Sequence, residues 1–276
     1  MMARRFYPDQ GTKDFRANIG SYGSNTDFFS KIYEACTLFP SGNKLLDGMS
    51  GPGKLGLAIR TRYNQEMPSG KLDLTFNDVR SEALVDLSDQ GYRTIACDIR
   101  EIGKYAPNEF DRVVVRYGIK DLPEGQATVA LESIYSSLVN GGRIVLGEMA
   151  AYTPEGQSGI IQVHGGKQVL AGRDVGTEGM CFIPTIEQWL GYAQNAGFQD
   201  VKVTHHDYSI VKVGDWSGQF GKITGDSEML ARMRETIRKQ VESNPTFAEE
   251  TNAHRDSEGE WHISFPIFVL TAEKRE

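Results

Sequence analysis

The chain has 276 residues, 39% of them hydrophobic and 10% aromatic, and a formal net charge of −7. That length buries a substantial core, and the acidic balance excludes a general electrostatic grip on DNA, RNA or an anionic membrane, so a small or neutral substrate is expected. Cys36, Cys97 and Cys181 show no metal-ligand spacing and read as reduced thiols. The basic start Met1 to Arg5 runs into Phe6-Tyr7-Pro8 and not into an apolar segment, which argues against secretion and membrane insertion; with the reduced thiols, a cytoplasmic protein, monomer or homodimer, is expected.

In chain order, Thr26 to Ala35 reads as a helix with an apolar face, ending near Pro40. An apolar strand over Lys44 to Leu46 meets an acid, Asp47, then the turn Gly48-Met49-Ser50-Gly51-Pro52-Gly53, then a helix starting near Lys54. Strand, glycine turn and helix together are the setting in which a nucleotide loop is physical, because glycine lets the backbone approach a ligand. A magnesium-phosphate loop would need Ser or Thr after Lys54, and the chain has Leu55. Leu72–Asp78 reads as a strand, Ser81–Gln90 as a helix, Tyr92–Asp98 as a strand and Phe110–Arg116 as a fourth. Ala127–Leu138 reads as a helix and Gly142–Glu148 as a fifth strand after an Asn140-Gly141 turn. Continuous apolar runs alternating with helices predict a mainly parallel sheet covered on both faces.

Between Met149 and Pro184 the pattern gives way to a polar, glycine-rich stretch expected to be an irregular insertion on the substrate side. A capped helix from Thr185 to Ala196, a short sixth strand at Val201–Thr204, an amphipathic helix at Ser227–Val241 behind Asp226, and a closing strand at Trp261–Leu270 complete the reading.

The order of these elements, with an acid and glycines after the first strand, resembles the class I S-adenosylmethionine-dependent methyltransferases over about residues 40–150 and 185–272. The family's Gly-x-Gly-x-Gly is matched at Gly51 and Gly53, while Met49 stands where its first glycine would be and Gly48 is displaced by one position. The segment Phe110 to Asp121 is similar to the fourth-strand region of the quinone-methylating branch. The resemblance implies a Rossmann-like α/β fold: a seven-stranded, mainly parallel sheet with helices on both faces. It comprises an N-terminal helical lid over residues 1–40 and a binding domain over 41–276, with cap insertions at about 150–184 and 208–260.

It implies S-adenosyl-L-methionine as cofactor, held by Asp47, Gly48, Met49, Gly51 and Gly53. Asp78 with Val79 would lie at the ribose and Asp98 with Ile99 at the adenine, a carboxylate suiting both places because it offers only acceptors. Arg116 would bind a carboxylate of cofactor or substrate, or pair with Glu148. Tyr7, Tyr22 and Phe29 are candidates for an aromatic lid over the cofactor's positive charge. Tyr7, Arg116, Tyr117, Glu148 and Trp216 are candidate substrate residues. His164 and Tyr117 are the candidate catalytic groups, since methyl transfer needs a base only for a protonated nucleophile. His205 and His206 are adjacent on a strand, point to opposite faces and are not read as a metal pair.

The expected reaction is methyl transfer to a small organic molecule. Three readings stand beside it: a lyase or cyclase that consumes the same sulfonium and releases methylthioadenosine, an NAD-dependent dehydrogenase, and a non-catalytic nucleoside-binding protein. The dehydrogenase competes because Gly51-Pro52-Gly53-Lys54-Leu55-Gly56 satisfies the bare dinucleotide pattern.

Overall fold

Eight strands form one twisted sheet in the computed structural model, which describes residues 26–38, 43–123, 125–170, 182–216 and 226–275. In chain order the elements are α1 (Thr26–Cys36), β1 (Asn43–Gly48), α2 (Lys54–Glu66), β2 (Leu72–Asp78), α3 (Ser81–Asp89), β3 (Arg93–Ala96) and the single turn α4 (Ile102–Tyr105). They continue with β4 (Phe110–Arg116), α5 (Gln126–Ser137), β5 (Leu138–Met149), α6 (Pro154–Leu170), α7 (Ile186–Asn195) and β6 (Gln199–Lys212). The last are α8 (Asp226–Ser243), α9 (Pro245–Glu250), β7 (His254–Arg255) and β8 (Trp261–Glu273). The strand order is β3-β2-β1-β4-β5-β8-β6, with the two-residue β7 beside β8. The five strands from β3 to β5 are parallel, and β8 runs antiparallel to both β5 and β6. The expected Rossmann-like architecture is therefore the observed one.

Two apolar clusters occupy the two faces. Val114, Val145 and Val269 point to the face covered by α1, α2, α3, α6, α8 and α9. Val113, Ile144 and Leu270, one residue away in each strand, point to the face covered by α4, α5 and α7, as the two-residue period of a strand requires. α1 puts Phe28, Ile32 and Cys36 on one buried stripe against this sheet, a spacing of four residues that keeps side chains on one helix face. Burying a Phe or Ile of this kind contributes roughly 1.5–3 kcal/mol each. The C-terminal carbonyls of α1 find partners in two arginines. Arg112 Nε donates to Cys36 O at 2.6 Å and Arg143 Nη1 to Ala35 O at 3.2 Å, meeting groups that the helix itself leaves unpaired.

The irregular insertion expected between Met149 and Pro184 is corrected by the structure: 17 of its residues are the helix α6. Thr153 caps it, its Oγ1 accepting from the Gly156 N–H at 3.0 Å, with Pro154 at the first helical position. The glycines that made the segment read as a loop permit close packing instead. A Cβ on Gly159 would stand 2.6 Å from Phe247, and one on Gly156 would overlap the Glu250 carboxylate. That same carboxylate accepts from Thr153 Oγ1 at 2.6 Å and Tyr152 N at 3.1 Å. The sixth strand is also longer than expected, 14 residues against four, because it pairs with β8 almost throughout. Its outer edge is unpaired among the described residues, so exposed polar residues recur along it and hide the strand period. The third strand is shorter than expected and stops at Ala96, which leaves Asp98 free to cap the 3₁₀ turn Ile99–Glu101.

Candidate nucleoside site

The strand order reverses between β1 and β4, the point at which open α/β sheets form a crevice at the carboxyl ends of their strands. β1 delivers the glycine loop there and β4 delivers Arg116 and Tyr117. The loop takes its shape from unusual backbone angles. Met49 (φ 53), Gly51 (φ 52) and Gly53 (φ 77) all lie in the left-handed region, so Met49 performs the turn that glycine would make more cheaply. Gly48, in contrast, is needed for space: a Cβ there would come 3.0 Å from Ile99 Cδ1 and 3.2 Å from Val115 Cγ2.

Between Met49 and Gly53 every N–H that exists is bonded within the protein. Met49 N donates to Asn77 Oδ1 at 3.4 Å, Ser50 N to Asn77 O at 2.8 Å, Gly51 N to Asp78 Oδ2 at 2.8 Å, and Gly53 N to Ser50 O at 3.0 Å. The loop is thus tied to the end of β2. Asn77 is the tie, and sequence reading missed it. Fully buried, its Nδ2 donates to Ile95 O at 3.0 Å and Cys97 O at 2.9 Å, so one amide joins the loop, β2 and β3. Beneath the loop, Asp47 Oδ2 accepts from Gly56 N at 2.8 Å. Burial pushes the Asp47 carboxyl up to about 7, against the lowering effects of the Gly56 N–H and the Arg116 charge.

Asp78 and Asp98 end up alike. Asp78 Oδ1 accepts from Arg80 N at 2.9 Å and Arg80 Nε at 3.2 Å, and Oδ2 from Gly51. Asp98 Oδ1 accepts from Arg100 N at 2.9 Å and Arg100 Nε at 3.0 Å, and Oδ2 from Arg100 Nη2. In each Asp-x-Arg turn three of about four carboxylate lone pairs are used and one Oδ2 position stays open. For Asp98, burial raises the carboxyl but the Arg100 contacts outweigh it, leaving the group below its ordinary value. Arg80 and Arg100 are further residues missed at the outset, although Asp78-Val79-Arg80 and Asp98-Ile99-Arg100 repeat the pattern in plain view. Val79 is exposed and Ile99 is buried beneath Gly48.

Opposite the glycine loop, Tyr117 also sits in the left-handed region (φ 54), its N–H bonded to Gly147 O at 2.9 Å. Its ring stacks on Phe28 of α1, centroids 5.7 Å apart. The Arg116 guanidinium lies 4.6 Å from the Phe29 ring centroid and 5.1 Å from that of Tyr117. Burial lowers its pKa while Tyr117, Asp47 and Glu148 pull the other way. The two loops touch, for a Cβ on Gly118 would meet Met49 Sδ at 2.8 Å. Glu148 does not serve as an ion-pair arm for Arg116. Its Oε1 instead accepts from Gly118 N at 2.9 Å and Ile119 N at 2.8 Å, holding the turn after Tyr117. Its Oε2 is buried without a hydrogen-bond partner, and burial pushes the carboxyl up to about 8.

His164 is not on a loop. It is buried on α6, 4% exposed, with its ring edge-on to Phe265 of β8 at 6.2 Å. His205 and His206 lie on β6, where His206 stacks on Tyr152 at 6.4 Å. Tyr7, Tyr22 and the side chain of Trp216 lie outside the described residues, as does all of the expected lid except residues 26–38.

No protein-family model matches the chain, and no curated protein does. Solved structures do. The YcgJ protein of Bacillus subtilis superposes with a TM-score of 0.71 at 11% identity, over 91% of this chain and 99% of that one. A putative methyltransferase of Bacillus halodurans gives 0.69 at 14% identity, over 92% and 100%. The 1,6-didemethyltoxoflavin-N1-methyltransferase of Burkholderia thailandensis, solved with 1,6-didemethyltoxoflavin and S-adenosylhomocysteine, gives 0.52 at 12% identity, over 97% and 85%. The fold is that of the class I S-adenosylmethionine-dependent methyltransferases.

Proposed function

We propose that the protein is an enzyme that binds S-adenosyl-L-methionine at the β1–β4 crevice and transfers its methyl group to a small organic molecule. The observation that carries this reading is how the loop donors are used. A dinucleotide pyrophosphate needs free backbone N–H groups at this turn, and from Met49 to Gly53 they are already bonded. What the site offers in their place is acceptors, the open lone pairs of Asp78 and Asp98 at the ends of adjacent strands. Hydroxyl and amine donors of a nucleoside match them. The aromatic rings of Phe29 and Tyr117, gathered around Arg116 at the end of β4, suit a cationic ligand centre. The residues present therefore fit the cofactor.

Bound there, S-adenosylmethionine supplies an electrophilic methyl group on a sulfonium. The chain's own part is placement and exclusion of water. Asp78, whose Oδ2 keeps an open acceptor position beside its bond from Gly51, would hold the ribose hydroxyls. Asp98 takes a donor at the nucleoside's far end. Arg116 holds a carboxylate, and Glu148 fixes the Gly118–Ile119 turn that carries Tyr117 against the reacting centre. A small acceptor accords with the net charge of −7, which gives no footing for a polyanion.

Calorimetry with S-adenosylmethionine, S-adenosylhomocysteine and NAD tests the ligand. Binding of the first two without NAD is expected, and binding of NAD alone overturns the reading. Incubation with the sulfonium, with and without candidate acceptors, tests the reaction. S-adenosylhomocysteine formed only with an acceptor is expected, whereas methylthioadenosine formed without one assigns the protein to the lyases or cyclases.

A further inference from the structure

At the other end of the sheet from the glycine loop, a pocket of about 290 Å³ opens between α1 and the strands β5, β8 and β6. It is lined by three cationic side chains, Lys31 of α1, Arg143 of β5 and Lys202 of β6, together with His205, Thr271 and the acid Glu34. The register puts them on one face, since Thr271 is the partner of Val145 in β5 and of Lys202 in β6, while His205 is the partner of Val269. Glu34 is already engaged, with Lys31 Nζ at 3.3 Å and Arg62 Nη2 at 3.6 Å. Arg143 is fixed by Glu273 at 2.6 Å and by the end of α1. Lys202 has no ion-pair partner among the described residues.

Two polar atoms in this pocket lack the partners that buried groups need. Thr271 is 3% exposed and its Oγ1 makes no hydrogen bond, and His205 Nε2 is shielded from solvent, also without one. The nearest acid to that nitrogen, Asp207, is 3.9 Å away, beyond hydrogen-bond reach. An unsatisfied buried donor is costly, so such groups mark a missing partner. A hydroxyl, an imidazole nitrogen able to carry a proton and an ammonium lining one pocket are complementary to an ion with several acceptor oxygens.

We propose that this pocket is a second ligand site, distinct from the nucleoside crevice, for a small multivalent oxyanion such as a phosphate or a polycarboxylate. Thr271 Oγ1 and His205 Nε2 donate to its oxygens, Lys202 supplies the free charge, and Lys31 and Arg143 form the rim. α1 links the two sites. Its C-terminal half lines the pocket, while Phe28 and Phe29 at its N-terminal end pack on Tyr117 and Arg116. An anion in the pocket therefore steadies one wall of the crevice.

The test uses the full chain. Thermal unfolding and calorimetry are followed during titration with inorganic phosphate, with citrate and with sodium chloride at matched ionic strength. Phosphate stabilises many proteins by exclusion from their surface, so the decisive comparison is with Lys202→Ala and Thr271→Val. Both substitutions leave the core shape in place, one lying on an exposed strand edge and the other preserving the side-chain outline. A saturable rise in melting temperature with a calorimetric Kd, weakened at least tenfold in both variants, is expected. Phosphate without citrate, or the reverse, identifies which oxyanion the site takes. Equal responses in wild type and variants, or a response no different from chloride, overturn the proposal and leave water as the occupant. Hydrogen exchange supplies the second arm: amides of α1 become better protected in phosphate in the wild type alone, and unchanged protection overturns the link to the crevice.

Discussion

The half of the sheet made by β1, β2 and β3 and the half made by β5, β8 and β6 are built on different principles. In the first, each group at the site finds its partner on the adjacent strand or two residues on in its own turn. Asn77 and Asp78 hold the glycine loop, and each aspartate is clamped by the arginine two residues on. In the second, partners come from distant parts of the chain. Glu250 holds the start of α6, Phe247 packs on Gly159, and β6 follows β8 for nearly its full length. A site assembled from neighbouring strand ends depends on single atoms. A cap assembled by long-range packing depends on shape.

That contrast is sharpest at Asp78. Replacing it with Ala removes both the acceptor for the nucleoside and the anchor of the Gly51 N–H, and nucleoside affinity is expected to fall at least a hundredfold, about 3 kcal/mol for a lost charged hydrogen bond. Calorimetry with S-adenosylhomocysteine measures it, and undiminished affinity would sink the ribose assignment. Gly53→Ala comes next. Its φ of 77 and a Cβ only 2.8 Å from Phe76 and 2.9 Å from Leu87 combine left-handed strain with overpacking, at a cost of about 2 kcal/mol or more in urea unfolding. A cost near zero would mean that the loop is not rigid.

Glu148 separates the halves by pH. With its carboxyl raised to about 8 by burial, the folded state keeps a proton that the unfolded chain has already released above the ordinary carboxylate range. The contribution of Glu148 to stability is therefore greatest at low pH and declines as pH rises from about 4 to 8. Asp47, raised to about 7, adds to the same slope. Glu148→Gln carries no charge, so it is expected to recover about 1 kcal/mol of the loss between pH 6 and 9. An unchanged slope would place the titration elsewhere. The smallest effect is expected at Met49→Gly, where relief of the left-handed backbone is offset by lost contact with the Gly118 turn. A net change below about 1 kcal/mol in the unfolding midpoint is the expected outcome, and a larger loss would make the Met49 side chain the more important element.

Much of the first half could be read from residues alone. Apolar strands covered on both faces announce themselves as continuous runs, and acids at their ends are conspicuous. That logic carried the parallel sheet and the positions of Asp78 and Asp98 at adjacent strand ends. It failed at α6, where glycines selected for close packing against Phe247 and Glu250 look the same in sequence as glycines selected for a loop. It failed again at β6, where an edge strand takes half its order from its neighbour.

The amino-acid sequence by itself determined the alternation of strands and helices, and with it the crevice at the carboxyl end of β1, because burial periodicity and glycine steric freedom act over a few residues. Only the tertiary structure decided how the groups there are used. The loop's N–H groups turn inward to β2, Glu148 supports the turn after Tyr117, His164 is buried on a helix, and a pocket lined by Lys31, Arg143 and Lys202 lies under the far end of α1. Each of these depends on which atoms meet across strands or from distant segments, and such meetings are set by register and packing that no local pattern encodes.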